Sequence, residues 1–361
     1  MAKPRVLLVR DAAIGDALMI TPAIRYWSDK GYRVDVACKR HVGNAVYSGN
    51  PHVHQCVDLD KATDMVARDR KLDKIKARRP YEIVFDVALT CEGKYLYHSS
   101  HPMFHESIDV RRMAAQGASY YRHINHDVCG VRDANTLVPE MYVLPQEERW
   151  WTTFRSRNIG IKLVQVQIGG SSINKHYPWW WQVIKELQRD PRVVVVTTGD
   201  EKSTIIEQEA VAMGCDPGRM WACCANPRYT LRDALVMTAF VDLVIGPETG
   251  VINAAAAWST PKIVLMSHST SDNLCRGWEN CYPIESPAEC SPCYRIVGAG
   301  DPCRYVAEPP EIAGAVECMA KINPFDIVEK AREVLEKCCP RKTIMALPSA
   351  RMFAPSAATV A

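Results

Sequence analysis

The chain has 361 residues, 47% hydrophobic and 24% charged, which is the composition of a globular protein with room for two domains. Its formal net charge of +3 is too small to require nucleic acid or a membrane as partner. The first apolar run is too short for a secretory signal, and fifteen cysteines, an odd number, do not form the pattern of a secreted disulfide framework. We therefore expect a cytoplasmic protein with at most peripheral membrane contact.

The first half of the chain alternates strand and helix patterns. Short apolar runs predict strands at 6–10, 33–38, 53–59 and 82–89, and helical patterns cover 17–30 and 61–79. This alternation is typical of a parallel sheet covered by helices on both faces. The region 91–140 shows little periodicity, and we expect it to hold loops over a cleft with one or two helices.

The second half restarts the same alternation after a polar helix predicted at 145–158. Strands are predicted at 162–168, 192–198, 242–246 and 262–267. Thr230 and Asp233 form a capping box that opens a helix, and a short helix follows Gly250. A last helix begins at Asn323 and Pro324. Two similar α/β halves predict a ligand cleft between them, at the carboxyl ends of the strands.

The first candidate site residue is Asp16, in the loop that follows the first predicted strand. Gly15 lets this strand–loop–helix turn be tight, and Asp16 falls on the first turn of the helix, at the ligand edge. A carboxylate there has two interpretations: it satisfies backbone N–H groups at the helix start, or it acts on a ligand in the cleft.

Three loops of the second half are expected to reach the same cleft. The loop 169–178 offers glycines for close approach, the hydroxyls of Ser171 and Ser172, and the positive charge of Lys175. The turn 198–202 contains Asp200 and Glu201, and a carboxylate roughly there commonly bonds ribose in nucleotide-binding α/β domains, although a plain helix-start carboxylate is equally consistent. The third loop leads into an alanine-rich helix and predicts a cradle for a diphosphate; it contains Glu248, Thr249, Gly250 and Asn253.

In this order and spacing, the segments resemble glycosyltransferase family 9, the ADP-heptose:lipopolysaccharide heptosyltransferases. The similar pieces are Ile-Gly-Asp-Ala at 14–17, the Ser-Ser…Lys-His-Tyr-Pro loop at 171–178, Gly-Asp-Glu at 199–201, and Glu-Thr-Gly-x-x-Asn-Ala-Ala-Ala at 248–256. The Cys-Ser-Pro-Cys segment and the closing Ile-Asn-Pro helix are also similar. The resemblance extends from residue 5 to about residue 337.

The resemblance implies a GT-B fold, in which two Rossmann-like parallel-sheet domains face a central cleft. It places an acceptor-binding domain at 1–158, a nucleotide-sugar-binding domain at 159–322 and a helix crossing back to the first domain at 323–339. The remaining residues, 340–361, are rich in Ala, Ser and Pro and are expected to form a flexible tail.

The resemblance also implies an inverting transfer from a nucleotide-sugar donor, with an ADP-sugar favoured, and no required cofactor. Asp16 matches the proposed general base, which takes a proton from the acceptor hydroxyl. Lys175 stabilises the departing diphosphate. The donor-binding set comprises Gly15, Ser171, Ser172, Glu201, Glu248, Thr249, Gly250 and Asn253.

Two positions depart from the family pattern. The usual Asp-Thr-Gly has a glutamate at Glu248, and the histidine expected three residues after the glycine is Asn253. An amide still forms hydrogen bonds but carries no proton as an imidazole does. Both changes weaken the inference to heptose more than the inference to glycosyl transfer.

Four late cysteines have one pair at zinc-ligand spacing. They are Cys290, Cys293, Cys303 and Cys318, and the gaps after the first pair are not those of a standard zinc knuckle. A structural zinc and a reduced or redox-labile cluster are both open, and we expect no catalytic metal.

The acceptor is left open by the sequence. The segment 61–80 contains eight basic and three acidic residues, which is typical of a solvated helix face. With Arg111 and Arg112, it would also serve an anionic acceptor, either a saccharide such as the lipopolysaccharide core or a modified DNA base. A modified DNA base is the alternative acceptor, and salt-dependent DNA binding would favour it. A nucleotide-sugar-binding protein without turnover is the non-enzyme hypothesis. A nucleotide-sugar epimerase is a more distant one.

Overall fold

In the computed structural model of the protein, the residues described are 3–11, 13–60, 65–88, 94–133, 137–297, 303 and 315–338. The predicted tail at 340–361 lies outside them, as do the start of the predicted helix at 61–79 and the end of the predicted strand at 82–89.

The first half contains a four-stranded parallel sheet in the order β3-β2-β1-β4. Its strands are β1 (Arg5–Val9), β2 (Arg33–Cys38), β3 (Val53–Asp58) and β4 (Ile83–Asp86). Its helices are α1 (Ile14–Met19), α2 (Thr21–Asp29), α3 (Arg40–Val46), α4 (Met65–Arg78), α5 (Pro102–His105), α6 (Ile108–Ala114), α7 (Tyr120–Arg122) and α8 (Pro145–Arg157). A π-helix at His123–Val128 continues α7.

The second half contains a six-stranded parallel sheet in the order β10-β9-β8-β5-β6-β7. Its strands are β5 (Lys162–Gln167), β6 (Val193–Thr198), β7 (Met220–Ala222), β8 (Leu243–Pro247), β9 (Lys262–Met266) and β10 (Cys281–Glu285). Its helices are α9 (Trp180–Leu187), α10 (Thr204–Ala212), α11 (Leu231–Met237), α12 (Gly250–Ala255), α13 (Ser271–Leu274), α14 (Glu317–Ala320) and α15 (Pro324–Cys338). The two parallel sheets confirm the α/β prediction.

The helix predicted at 17–30 is two helices, α1 and α2, that meet at Ile20. Pro22 has no N–H to donate to the carbonyl of Leu18, and the hydroxyl of Thr21 donates to that carbonyl instead, at 2.7 Å. Buried Asn125, on the π-helix, donates to Met19 O and accepts from Ala23 N, both at 2.9 Å. The break between α1 and α2 therefore follows from one proline. The side-chain amide of Asn125, from the region 91–140, bonds to the backbone groups on both sides of this break.

The two halves share a continuous apolar interface that includes residues of both sheets. Arg232 on α11 crosses this interface: it ion-pairs with Glu147 at 2.6 Å and donates to the carbonyls of Ala45 and Tyr142, each at 3.0 Å. The last helix, α15, packs on α9, β8 and β9 of the second half. Its predicted return to the first half stays a prediction, as do the domain boundaries.

Candidate functional site

A cleft of about 660 Å³ lies between the halves, at the carboxyl ends of their strands. The first half contributes the loop after β1 and the start of α1, together with Leu96, His98 and Tyr120. The second half contributes the loops after β5, β6, β8 and β9. The cleft is where the rule for open α/β sheets places a ligand.

Asp16 lies in the first turn of α1 and lines the cleft. Its carboxylate forms an ion pair with Arg10, which is only 3% exposed and also donates to Val87 O at 2.8 Å. Ala13, just before the helix, has φ +58°, a region that side-chain-bearing residues seldom adopt and that is often found at functional sites. The buried arginine therefore fixes the Asp16 carboxylate at the edge of the cleft.

The starts of α1 and α12 approach each other at two glycines. A Cβ on Gly250 would lie 2.6 Å from Ile14 Cγ2 and 2.7 Å from Ile14 Cβ, and one on Gly15 would lie 3.2 Å from Asn253 Nδ2. Glycine at both positions lets the backbone of the predicted general-base loop touch the backbone of the predicted diphosphate cradle. The two parts of the site are thereby held together.

Gly250→Ala is expected to destabilise the protein by about 1–3 kcal/mol, because the added methyl overpacks the junction between the halves. Thermal unfolding would show this as a lower Tm. Gly218→Ala is the matched control, since the only heavy atom near its new Cβ is Asp216 Oδ1, at 3.1 Å, on an exposed turn. Equal Tm values for the two variants would contradict the close approach.

The loop after β5 places Lys175 and Ser171 on the cleft wall, with Gly169 and Gly170 beside them. A Cβ on Gly170 would lie 2.5 Å from Lys175 Cβ, so the glycine makes room for the lysine. Among the described residues, the Lys175 ammonium has no carboxylate within ion-pair distance. Ser172, by contrast, is buried outside the lining residues and donates to Asn174 Oδ1.

The turn after β6 brings Asp200 to the cleft, whereas Glu201 is exposed and is not a lining residue. Asp200 accepts from the backbone N–H of Ser203 at 3.1 Å and from its hydroxyl at 2.7 Å, which is the ordinary role of a helix-start carboxylate. The ribose-binding role of Glu201 stays a prediction.

The loop after β8 lines the cleft with Glu248, Thr249 and Gly250. Thr249 Oγ1 is enclosed and has no hydrogen-bond partner among the described residues. Glu248 is 7% exposed and accepts from the hydroxyl of Ser269, and its burial raises the pKa of its carboxyl to about 7. The helix α12 is six residues long, and the N–H groups of its first turn have no acceptors inside the helix.

Asn253 lines the cleft but has its amide engaged within the protein. Its Oδ1 accepts from the hydroxyl of Tyr121 at 2.6 Å, and its Nδ2 donates to Thr249 O at 2.9 Å. The residue is 3% exposed and links the two halves. Both polar atoms of the amide therefore bond within the protein, and the donor-binding role of Asn253 stays a prediction.

His268 is a lining residue that sequence reasoning missed. It follows β9, is buried, and places Nδ1 3.0 Å from Glu248 Oε2. Burial, together with the charge of Lys175, lowers its pKa well below the usual value, so the imidazole is neutral. The polar pair His268-Ser269, directly after the strand predicted at 262–267, was the signal that could have found it.

Cys290, Cys293, Cys303 and Cys318 lie near one another, but the described part of the structure does not arrange them as a metal site. The thiols of Cys290 and Cys318 are hydrogen-bonded, which lowers the pKa of Cys290 and raises that of Cys318, while burial raises the pKa of Cys293 to about 11. Cys303 packs near them. Within the described ranges, no three His, Cys, Asp or Glu side chains are placed to hold a metal ion. The structural zinc stays a hypothesis.

Comparison with known proteins identifies the family of one segment of the chain. The family model "Glycosyltransferase family 9 (heptosyltransferase)" matches residues 142–299. That segment is a glycosyltransferase family 9 domain. The predicted resemblance to this family is confirmed over residues 142–299, and the match supports glycosyltransferase activity. No curated protein sequence matches the chain.

Solved structures confirm the GT-B fold. ADP-heptose lipopolysaccharide heptosyltransferase II of E. coli is 13% identical, with a TM-score of 0.64 over 92% of this chain and 99% of that one. A family 9 glycosyltransferase from Veillonella parvula DSM 2008 is 14% identical, with a TM-score of 0.66 over 93% and 99%. The iron-containing dodecameric glycosyltransferase TibC from enterotoxigenic E. coli H10407 is 13% identical, with a TM-score of 0.60 over 93% and 77%.

The described part of the chain contains no helix with the length and apolar character needed to cross a membrane.

Proposed function

We propose that the chain is an inverting glycosyltransferase that moves a heptose-like sugar from an ADP-linked donor to a hydroxyl of a saccharide, such as the lipopolysaccharide core. The observation that carries this proposal is that a carboxylate of the first half and a cation of the second half line the same cleft. Asp16 lines it from the first half, and Lys175, without an ion-pair partner in the described ranges, lines it from the second. Cytoplasmic location belongs to the same proposal.

The donor binds on the second half. Lys175 supplies a compact positive charge, and Ser171, Thr249 and the first amides of α12 supply hydrogen-bond donors for the diphosphate. Thr249 Oγ1 has the unused hydrogen-bonding capacity that such a ligand would satisfy. A buried hydroxyl without a partner is costly unless a ligand takes its hydrogen bond.

Transfer then needs one base and one stabilised leaving group. Asp16 accepts the proton of the acceptor hydroxyl as its oxygen attacks the anomeric carbon, and the bond from that carbon to the diphosphate oxygen breaks. The electron pair leaves with the diphosphate, whose growing negative charge lies beside Lys175. Attack from the face opposite the leaving group inverts the anomeric configuration. The protein's own cation supplies this stabilisation, so we propose that no cofactor is required.

An ADP-linked donor is supported by the family 9 domain and by the fold shared with ADP-heptose lipopolysaccharide heptosyltransferase II. Glu248 is longer than the aspartate of the family pattern, and its pair with His268 gives the sugar end of this cleft its own set of groups. The identity of the sugar is therefore the open part of the donor proposal.

For the acceptor, the structure separates two basic surfaces. Arg111 donates to Cys293 O at 2.6 Å, and Arg112 donates to the carbonyls of Glu289 and Ser291 at 2.7 and 2.9 Å, so both hold a loop of the second half. The exposed basic residues of α4 are the ones open to an anionic saccharide. A modified DNA base remains the alternative acceptor, with salt-dependent DNA binding as its test.

Thermal unfolding with a panel of ADP, UDP, GDP, CMP and their sugars tests the donor class. A nucleotide at about 100 times its Kd should stabilise the protein by roughly 2.7 kcal/mol, a Tm rise of several degrees. We expect ADP and its sugars to give the largest rise. A preference for another base would replace the donor but keep the transferase, and no rise with any nucleotide at millimolar concentration would contradict the proposed function.

A further inference from the structure

A buried polar cluster at the ends of β8 and β9 forms part of the cleft wall. Glu248, Ser267, His268 and Ser269 are each less than 10% exposed, and Glu248 and His268 are lining residues. Neither Ser267 nor His268 belongs to the predicted donor set. Burying four polar side chains beside a cleft is costly unless their hydrogen bonds are arranged for a purpose, either structural or ligand-directed.

The protons of this cluster can be placed from its contacts. The Ser267 hydroxyl donates to Asn174 O, so its single proton is used there. Ser267 Oγ also lies 3.1 Å from His268 Nδ1, and this contact is a hydrogen bond only if Nδ1 carries the proton. Glu248 Oε2 lies 3.0 Å from the same nitrogen without forming a hydrogen bond among the described residues, so the ionised carboxylate favours a proton there through its charge. His268 is therefore the Nδ1–H tautomer, with a lone pair on Nε2.

Nε2 is the atom of His268 left for a ligand. In the ranges that the structure describes, it has no hydrogen-bond partner, and the residue lines the cleft beside Lys175, whose charge acts on it. A neutral imidazole nitrogen with a lone pair accepts a hydrogen bond and cannot donate one. Phosphate oxygens also only accept, so a diphosphate does not satisfy this atom, whereas a sugar hydroxyl does.

We propose that His268 reads the transferred sugar: Nε2 accepts a hydrogen bond from a hydroxyl of the donor's sugar, while Ser267 and Glu248 hold the ring in the required tautomer. This inference rests on the proposed function, because it takes the ligand of the cleft to be a nucleotide-sugar. It gives the sugar end of the site an imidazole from the loop after β9, whereas the family pattern has its histidine at the position of Asn253.

The test compares ADP and ADP-heptose binding by titration calorimetry at pH 8, above the raised pKa of Glu248, with Lys175 and Glu285 as the other charges acting on that carboxyl. In His268→Asn, the amide keeps a donor at the Nδ1 position and removes Nε2. We expect ADP affinity to stay within about twofold of wild type and ADP-heptose affinity to fall about fivefold to tenfold. His268→Gln restores a polar atom near the Nε2 position and should recover most of the loss.

A second variant, Ser267→Ala, tests the same role if His268→Asn fails to fold. Ser267→Ala keeps the imidazole but removes the acceptor that fixes its proton on Nδ1, so ADP-heptose affinity should fall by about two- to threefold. Because both changes act through Nε2, Ser267→Ala should have no further effect in the His268→Asn background.

The outcomes separate this inference from the proposed function. Three outcomes would overturn the role of His268 but leave the proposed function standing. They are equal losses of ADP and ADP-heptose affinity in His268→Asn, no loss of either affinity in that variant, and equal losses in His268→Asn and His268→Gln. Wild-type protein that binds neither ADP nor ADP-heptose would overturn the proposed function and this inference with it.

Discussion

Asp16→Asn is expected to lower kcat for sugar transfer by about 10²- to 10⁴-fold, because the acceptor hydroxyl loses the group that takes its proton. The amide is nearly isosteric with the carboxylate and can still contact Arg10, so the loop after β1 should keep its course. ADP affinity should stay within about twofold of wild type, since the proposed donor contacts, apart from Gly15, lie on the second half. Transfer rates would be measured with ADP-heptose and a lipopolysaccharide core acceptor, and ADP binding by calorimetry.

Asp29→Asn is the matched control for the charge change. Asp29 ends α2, its side chain is 63% exposed, and its ion-pair partner is His52, 3.8 Å away, so the variant should transfer sugar as the wild type does. If Asp16→Asn retained its full rate, Asp16 would not be the base. If the wild type bound ADP-heptose but transferred nothing to any saccharide, the non-enzyme hypothesis would be favoured.

Lys175→Met is expected to lower kcat by about 10²- to 10³-fold and to weaken ADP binding as well, because the variant removes the cation beside the leaving diphosphate. Methionine keeps most of the length of the side chain and its packing against Gly170. Loss of the charge should affect the transition state more than the bound donor, since the negative charge on the leaving oxygen grows as the bond breaks. The kcat and the Kd for ADP would be measured separately.

Lys202→Met removes an exposed lysine from the turn after β6, outside the cleft lining, and leaves the same net charge as Lys175→Met. It should keep both the rate and the ADP affinity. Matching losses in the two variants would mean that net charge, and not the position of Lys175, controls binding. An unchanged kcat in Lys175→Met would contradict its proposed role in stabilising the leaving group.

The central strands could be predicted from the sequence because they are buried on both faces. Val193–Thr198, with four successive valines, illustrates this pattern. Both missed strands, β7 and β10, lie at the edges of the second sheet, where an uninterrupted apolar run is not needed. In β10, Pro283 also argues against a strand, since proline is tolerated in sheets chiefly at edges.

Most of the candidate site could be predicted because its residues lie in the loops that follow predicted strands, and the ends of parallel strands meet at one edge. Asp16, Lys175 and Thr249 all reach the cleft for this reason. Within a turn, the position of the strand end does not predict which residue lines the cleft, because the side chains of neighbouring residues point in different directions. Asp200 lines the cleft while Glu201 is exposed, and Ser171 lines it while Ser172 bonds inward.

The α/β class, the two parallel sheets and the loops that line the cleft follow from local sequence patterns, since apolar periodicity and turn residues are local properties. The pairings between distant elements come from the tertiary fold alone: Arg10 with Val87, Tyr121 with Asn253, and Glu248 with His268. These contacts depend on the order of the strands and on how the two halves meet. Each joins groups that are unremarkable in their own segments, so no local pattern specifies them.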